Sequence, residues 1–383
     1  MSNNNQTEEE FNEAVEKAYK VKLPNFDEHV NIAILGKVSS GKSSLLNAIL
    51  GCDRTNSVAK VGAHSGVTTE LDAHKFGIVT HKLDDHVLII DSPGLNDVRA
   101  ENSAQTIGFL KSIDIGILVL EGSLDLSQKE ICDDIRKHAK KSIVVLNKID
   151  EWDKLEEAAL TKVMEQWASG LGVEKIFGAC ANGYDPKQRE GIGMDLRGID
   201  EIRNEILCFL ENEGKSLLFE KVLKNKENAA IKIIAGAVVA AAVEAYIPGS
   251  AVWITATQAV AITSLVYLYT GELLSKTSVL GILPTFAGQS IGTTAFLWAK
   301  SFLPPTGVVD VVASGIAASI TFAMLAAVKY VLQSGKSLEN LEMLKEAFTR
   351  YSTTGNVLKN ISPTDIKSKD FLYNIFKNVL TKS

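Results

Sequence analysis

The sequence has few of the residues that crosslink small domains. It contains four cysteines in 383 residues, none of them in a Cys-x-x-Cys pair or beside a histidine. This spacing excludes the usual disulfide frameworks and zinc motifs, and it favours free thiols in a reducing compartment. The stretch 1–11 lacks the basic start and the apolar run of a secretory signal. We therefore expect a cytoplasmic protein.

The sequence also lacks an excess of basic charge. Its 40 lysines and arginines are outnumbered by 46 aspartates and glutamates, and the formal net charge is −6. Coating the phosphate backbone of nucleic acids needs a basic surface, so this balance argues against general nucleic-acid binding. With 46% hydrophobic and 22% charged residues, the chain is too apolar to be disordered.

Charge of either sign is scarcest in the C-terminal part. Residues 229–335 contain seven charged side chains, about a third of the density in the whole chain, and the windows 245–271, 277–299 and 311–328 contain none. Windows of this length can span a bilayer or nearly so, although their Thr, Ser and Gln side chains weaken insertion. Two interpretations stay open: a soluble domain of buried helices, or a domain that associates with a membrane.

Apolar runs in the first half of the chain alternate with helical patterns. Four of these runs are typical of buried strands: 31–36, 87–91, 115–120 and 143–146. Continuous apolar strands that alternate with helices predict a mostly parallel sheet covered on both faces. We therefore expect an α/β domain followed by an all-α, hydrophobic helical domain. The expected boundaries are an N-terminal helical segment at 1–27, the α/β domain at 28–212 and the helical domain at 213–383.

The first chemical motif follows the first predicted strand. Residues 36–43 read Gly-Lys-Val-Ser-Ser-Gly-Lys-Ser, which fits the phosphate-binding pattern GxxxxGK[ST] between a strand and a helix. In such a loop, called a P-loop, the backbone N–H groups converge on phosphate oxygens. Lys42 would bridge the β- and γ-phosphates, and Ser43 would place its hydroxyl on Mg²⁺. The predicted phosphate-binding residues are Gly36, Lys37, Val38, Ser39, Ser40, Gly41, Lys42, Ser43 and Ser44.

A second motif, Asp91-Ser92-Pro93-Gly94, ends the predicted strand at 87–91. A carboxylate at this place can hold Mg²⁺ through water, and this is the role predicted for Asp91. Gly94 carries no side chain, so the backbone there can approach a γ-phosphate closely.

A third motif, Asn147-Lys148-Ile149-Asp150, predicts which nucleotide base the site binds. The Asp150 carboxylate can accept hydrogen bonds from guanine N1–H and the exocyclic amine together, whereas adenine offers no such pair of donors. Asn147 would tie this loop to the P-loop, and Lys148 would cover one face of the base. The three motifs together predict a site for GTP or GDP with Mg²⁺.

These motifs, in this order, resemble the Era, septin and dynamin branch of the Ras-like GTPases. The resemblance implies GTP hydrolysis and a switch-I threonine that binds Mg²⁺, which would be Thr69, with Thr68 as the alternative. It also implies a loop whose backbone N–H contacts guanine O6. The stretch 179–182 looks like that loop, with Cys180 and Ala181 as the predicted contacts, although the family usually has Ser where Cys180 stands.

Two positions inform the hydrolysis step. Leu95 stands where Ras-type enzymes place a water-orienting glutamine. Ser39 matches a P-loop serine that assists hydrolysis in dynamin-like proteins. The resemblance therefore implies slow hydrolysis in the monomer and faster hydrolysis in a nucleotide-dependent homodimer of G domains. The predicted catalytic residues are Lys42, Ser39, Thr69 and Gly94.

The resemblance leaves two functions for the whole chain. One is a dynamin-like or immunity-GTPase-like switch whose helical domain acts at the inner face of a membrane, with lipid as its partner. The stretch 246–250, Tyr-Ile-Pro-Gly-Ser, favours it, because it resembles a turn in a helical domain found behind bacterial Era-like G domains. The alternative is a soluble Era-like GTPase that acts as an assembly or ribosome-associated module.

Overall fold

The computed structural model forms two compact units. One unit, the α/β unit, spans Asn25–Lys224, and the other, the helical unit, combines Met1–Pro24 with Asn225–Ser383. The residues that the structure describes are 2–37, 39–52, 79–92, 113–122, 124–154, 157–181, 195–247, 249–287 and 308–381.

A single sheet organises the described part of the α/β unit. Its strands are β1 (Val30–Gly36), β2 (Val79–Lys82), β3 (Val87–Ser92), β4 (Ile115–Leu120), β5 (Lys141–Leu146) and β6 (Ile176–Gly178). They lie in the order β2-β3-β1-β4-β5-β6. Every neighbouring pair is parallel except β2 and β3. The mostly parallel sheet confirms the predicted fold class.

The parallel strands form where the sequence is apolar without alternation. All six residues of β4 are buried, and so are the last four residues of β5. Strands of this kind need helices on both faces of the sheet. The register aligns Leu35 of β1 with Ser92 on one side and Leu118 on the other. The carboxyl ends of these strands therefore meet at one edge of the sheet.

Helices connect the strands. The helix α2 (Lys42–Leu50) begins directly after Gly41, and α3 (Leu126–His138) begins with a capping box formed by Asp125 and Gln128. The others are α4 (Glu157–Leu171), α5 (Ile199–Asn212) and α6 (Ser216–Val222), with a 3₁₀ turn at Ile149–Trp152.

The α/β unit extends to Lys224, beyond the predicted boundary at 212. Lys215 explains part of this difference. Its ammonium donates to His29 O (2.8 Å) and to Asp114 Oδ1 (3.2 Å), a carboxylate buried at the start of β4. The stretch 213–224 is therefore anchored to the sheet.

The helical unit contains seven α-helices among its described residues. They are α1 (Ser2–Lys22), α7 (Glu227–Glu244), α8 (Ser250–Thr270), α9 (Lys276–Ala287), α10 (Val308–Gln333), α11 (Leu341–Gly355) and α12 (Lys369–Leu380). Small side chains let α7, α8 and α10 approach one another closely. Their shared cluster consists of Ala241, Ala245, Ile254, Ala313 and Ala317.

The N-terminal helix α1 packs inside the helical unit instead of forming a segment of its own. The hydroxyls of Tyr19 and Thr263 lie 2.9 Å apart. Lys22 pairs with the carboxylate of Glu244 and donates to Thr257 Oγ1 at 2.6 Å. The helical unit is thus assembled from chain on both sides of the α/β unit.

Two stretches in the described part of the helical unit are long and apolar enough to cross a membrane by length and composition. They are Ser250–Thr270 and Val311–Gln333. Of their apolar windows, 72% and 78% are buried inside the protein. Core helices of soluble proteins meet the same criterion, so length and composition do not separate the two interpretations.

Candidate nucleotide-binding site

The carboxyl edge of the sheet brings the chemical motifs together. The P-loop follows β1, Asp91 and Ser92 end β3, the Asn-Lys-Ile-Asp motif follows β5, and the stretch Ala179–Ala181 follows β6. In open α/β sheets, ligands bind in the crevice outside the carboxyl ends of the strands. The predicted nucleotide-binding residues are far apart in the sequence. The order of the strands places the loops that carry them at the same edge of the sheet.

The P-loop adopts a left-handed backbone at two places. Ser39 has φ 69° and Gly41 has φ 83°. Lys42, which is 9% exposed, folds back over the loop and donates to Gly36 O (3.1 Å) and Lys37 O (3.0 Å). The loop is therefore curved around the ammonium that the sequence assigns to phosphate.

A polar group in the loop supports the fit of a phosphate. The hydroxyl oxygen of Ser40 is buried and has no hydrogen-bond partner within the described part of the chain. A buried hydroxyl without a partner is costly, and a phosphate oxygen would satisfy it. Ser43 and Ser44 lie in the first turn of α2, where backbone N–H groups point out of the helix. Val38 lies outside the described residues.

Asn147 joins the Asn-Lys-Ile-Asp stretch at 147–150, called the base loop below, to the P-loop. It is 2% exposed, and its Nδ2 donates to Ser40 O at 2.9 Å. A Cβ at position 41 would collide with this amide, well inside the 3.0 Å limit of real contacts. Gly41 is therefore required by its φ and by the approach of Asn147.

Asp150 and Cys180 lie together on the base side of the site. The Cys180 Sγ lies 3.2 Å from Asp150 Oδ1 and donates to it, and Ile149 N–H donates to Ala179 O at 3.1 Å. The thiol thus takes up a contact with the carboxylate where the family usually has a serine. The Cys180 N–H donates to Arg197 O (2.9 Å). Of the two predicted backbone donors to guanine, the structure therefore already uses that of Cys180.

The predicted Mg²⁺ ligands are only partly within the described residues. Ser43 is half-buried at the start of α2, and Asp91 ends β3 in register with Ile34 of β1. A hydroxyl and a carboxylate are oxygen ligands suited to Mg²⁺, and residues 43 and 91 both follow the carboxyl ends of neighbouring strands or lie within them. Thr69, the alternative Thr68 and Gly94 lie outside the described residues, as do Leu95 and Asn182.

Two acidic residues that follow β4 and contact the predicted site were missed in the predictions from sequence. The Glu121 carboxylate pairs with the ammonium of Lys148 in the base loop. The Asp125 carboxylate pairs with Lys37 in the P-loop, and this contact, with the N–H of Gln128 and the hydroxyl of Ser127, lowers the pKa of Asp125 to about 2. Glu121 directly follows the buried run 115–120, and Asp125 caps the helix that comes next, so both positions carry a signal in the sequence.

Arg197 was also missed. Its guanidinium forms two hydrogen bonds to Asp153 (2.8 and 2.9 Å) and also contacts Asp195. Arg197 holds the pKa of both carboxyls below their usual range. The Arg197 carbonyl accepts the Cys180 N–H. Arg197 therefore connects the stretch Ala179–Ala181, called the guanine loop below, to the turn that follows Asp150.

Comparison with known proteins gives consistent matches. Residues 31–148 match the family model described as "50S ribosome-binding GTPase". The tRNA modification GTPase MnmE of Aliarcobacter butzleri is 35% identical over 36% of this chain and 31% of that protein. GTPase Era of Stenotrophomonas maltophilia is 28% identical over 48% of this chain and 63% of that protein. GTPase Der of Buchnera aphidicola is 30% identical over 38% of this chain and 30% of that protein. The chain spans less than two thirds of the length of each of these relatives.

The fold, the motifs and these matches define a class. The α/β unit is a P-loop GTPase domain, a class that binds guanine nucleotides, and we call it the G domain below. The G domain belongs to the Ras-like GTPase superfamily and is of the type found in Era, Der and MnmE. The predicted superfamily is thus confirmed.

Proposed function

We propose that the protein is a Mg²⁺-dependent GTPase switch whose nucleotide state is transmitted to the helical unit. The observation that carries the proposal is the hydrogen bond from Asn147 Nδ2 to Ser40 O, which unites the phosphate and base loops in one site. The test is binding of fluorescent GDP and GTP to the full chain, with phosphate release as the measure of hydrolysis. Lys42→Ala should abolish both, and wild-type protein that binds adenine and guanine nucleotides equally would contradict the proposal.

Each part of the site has a role in this proposal. Lys42 would exchange its two carbonyl acceptors for the β- and γ-phosphates, and the backbone of 36–44 would bind the phosphate oxygens. Ser43, Asp91 and Thr69 would hold Mg²⁺, which neutralises phosphate charge. Gly94 would sense the γ-phosphate.

Base selection would rest on Asp150. Its carboxylate would accept from guanine N1–H and the exocyclic amine. Of the two predicted backbone donors, we assign the contact with guanine O6 to the N–H of Ala181, because Cys180 donates to Arg197 O.

We further propose that Ser39 assists hydrolysis and that G domains pair to complete the site. Leu95 cannot orient water as a glutamine does, and Ser39 is an exposed hydroxyl on a left-handed turn of the P-loop. Turnover per molecule should rise with protein concentration, and Ser39→Ala should lower it. A turnover that is independent of concentration and unchanged in Ser39→Ala contradicts this part of the proposal.

For the helical unit we propose a dynamin-like, membrane-associated role at the inner face of a membrane in the cytoplasm. Support comes from one end of the unit, where α7 ends and α8 and α10 begin. Large apolar side chains are exposed there by 39–51%. This apolar end consists of Val243, Ile247, Trp253, Val311 and Val312.

A lysine beside an aromatic ring adds to this support. The exposed Lys367 Nζ lies 4.4 Å from the ring centre of Tyr246. Aromatic rings with lysines beside them are typical of the interface between bilayer and water, where the ammonium can meet anionic headgroups.

Flotation with liposomes containing anionic lipid tests the role. Wild-type protein should float, and Ile247→Ser with Val312→Ser should reduce the floating fraction. Leu273→Ser with Leu341→Ser is the matched control, because these side chains are exposed by 52% and 45% beyond the opposite ends of α8 and α10. Wild-type protein that stays at the bottom with and without a non-hydrolysable GTP analogue removes the membrane role.

A soluble Era-like assembly or ribosome-associated role is the second proposal. It is favoured by buried ion pairs inside the helical unit, because such pairs are expensive to place in lipid. Lys329 in α10 is 3% exposed and lies 2.7 Å from the carboxylate of Glu227, and Lys22 pairs with Glu244. Failure of flotation, with intact GTP binding, would favour this role.

A further inference from the structure

We propose that Glu121 is a positioning residue for guanine binding, because it fixes the side chain of Lys148 before the nucleotide arrives. The proposal rests on the proposed role of the Asn-Lys-Ile-Asp motif in base binding. Glu121 belongs to none of the three sequence motifs.

The backbone already places the two residues next to each other. Asn147 N–H donates to Leu120 O at 3.0 Å, so the residue after β4 and the residue after Asn147 lie side by side. Lys148 has φ 60°, a left-handed conformation that non-glycine residues rarely adopt. From this backbone the Lys148 side chain reaches Glu121, whose carboxylate accepts a hydrogen bond from the lysine ammonium.

Fixing the Lys148 ammonium matters because it also restrains the methylene stem of the side chain, which would lie against the base. A lysine side chain has four rotatable bonds, and its freedom must be lost before the methylene stem can lie against the base. Pairing at Nζ removes much of this freedom in advance, so less is lost when the nucleotide binds.

Burial makes this pair a stronger constraint than its neighbour. The Glu121 and Lys148 side chains are 29% and 31% exposed, whereas those of Asp125 and Lys37 are 40% and 46% exposed. Exposed pairs are screened by water and hold a geometry weakly. The Glu121 pair therefore has the larger expected effect on nucleotide binding.

The test is Glu121→Gln in the full chain, measured by the Kd and dissociation rate of fluorescent GDP. We expect the Kd for GDP to be about three- to tenfold higher, because the substitution weakens one partly buried charge-assisted contact. The change should appear as a faster dissociation rate. The matched control is Glu205→Gln, which removes the pair with Lys141 at similar side-chain exposures of 35% and 35% on the other edge of the sheet. The control should bind GDP as wild type does.

A double-mutant cycle separates positioning from a general structural effect. If Glu121 acts through Lys148, then Glu121→Gln has no further effect in a Lys148→Met background. A full additional loss in that background, or wild-type affinity in Glu121→Gln alone, overturns the inference. Wild-type protein that fails to bind GDP instead overturns the proposed function, so the two failures are distinguishable.

Discussion

Replacing Gly198 by alanine tests how the guanine loop is held in place. Gly198 precedes α5 with φ 74°. An added Cβ would collide with the carbonyl oxygen of Gly178 at the end of β6, far below the 3.0 Å limit of real contacts. That carbonyl lies directly before Ala179, where the guanine loop begins. The substitution should therefore disturb both stability and base binding.

The loss of folding stability expected in Gly198→Ala has two parts. A left-handed backbone costs a non-glycine residue about 1–2 kcal/mol. The end of β6 or the start of α5 must also move by about 1 Å to restore van der Waals contact, and overpacking of this kind costs about 1–3 kcal/mol. Gly214→Ala is the control, because Gly214 has φ 72° and no atom within 4 Å of an added Cβ. The control should show only the loss of stability that comes from the left-handed backbone.

Urea unfolding and GDP titration measure the two effects. The free energy of unfolding should fall by about 1–3 kcal/mol more in Gly198→Ala than in Gly214→Ala. GDP should bind at least about tenfold more weakly to Gly198→Ala, as expected for one lost contact with the base, and normally to Gly214→Ala. Equal destabilisation of the two variants, or wild-type GDP affinity in Gly198→Ala, refutes the reasoning.

Three further predictions concern the site and the helical unit. In Asn147→Ala the Ser40 carbonyl loses its donor, so the free energy of unfolding should fall by about 1–3 kcal/mol. The link between the base loop and the P-loop is lost with it, so stopped-flow should show faster GDP release. Asp150→Asn should shift preference from guanosine to xanthosine nucleotides, measured by competition, because xanthine accepts a hydrogen bond where guanine donates one. Burial raises the pKa of Glu244 against the opposing effect of Lys22, so the folded state holds this proton more tightly than the unfolded state. Its contribution to stability is therefore lost as pH rises from about 4.5 through the raised value, and thermal unfolding of Glu244→Gln should show a weaker loss over that range. An identical pH dependence in the two proteins contradicts this explanation.

Local patterns were sufficient to predict the G-domain fold, and they also supplied the candidate residues of its nucleotide site. The run 31–36 is apolar without alternation, and the GxxxxGK[ST] stretch at its end predicts a phosphate-binding turn into a helix. Such features are contained in a few neighbouring residues. The same holds for Asp150, whose proposed role follows from the chemistry of the base.

Contacts between distant segments could not be predicted in this way. The pairing of Glu121 with Lys148 depends on β4 and β5 being neighbours, which is a property of the strand order. The docking of α1 was missed for a related reason. An amphipathic helix shows that one face is buried, but not which core buries it, and the partner Thr263 is 244 residues from Tyr19.

The placement of α1 also sets an order of events during synthesis. Tyr19 is made 244 residues before Thr263, and at about 5–20 residues per second α1 waits about 12–50 s for its partner helix. The G domain is continuous from Asn25 to Lys224, so its sheet can be completed during that interval. The G domain of a newly made chain, with the P-loop at the carboxyl edge of its sheet, can therefore fold before its helical unit exists.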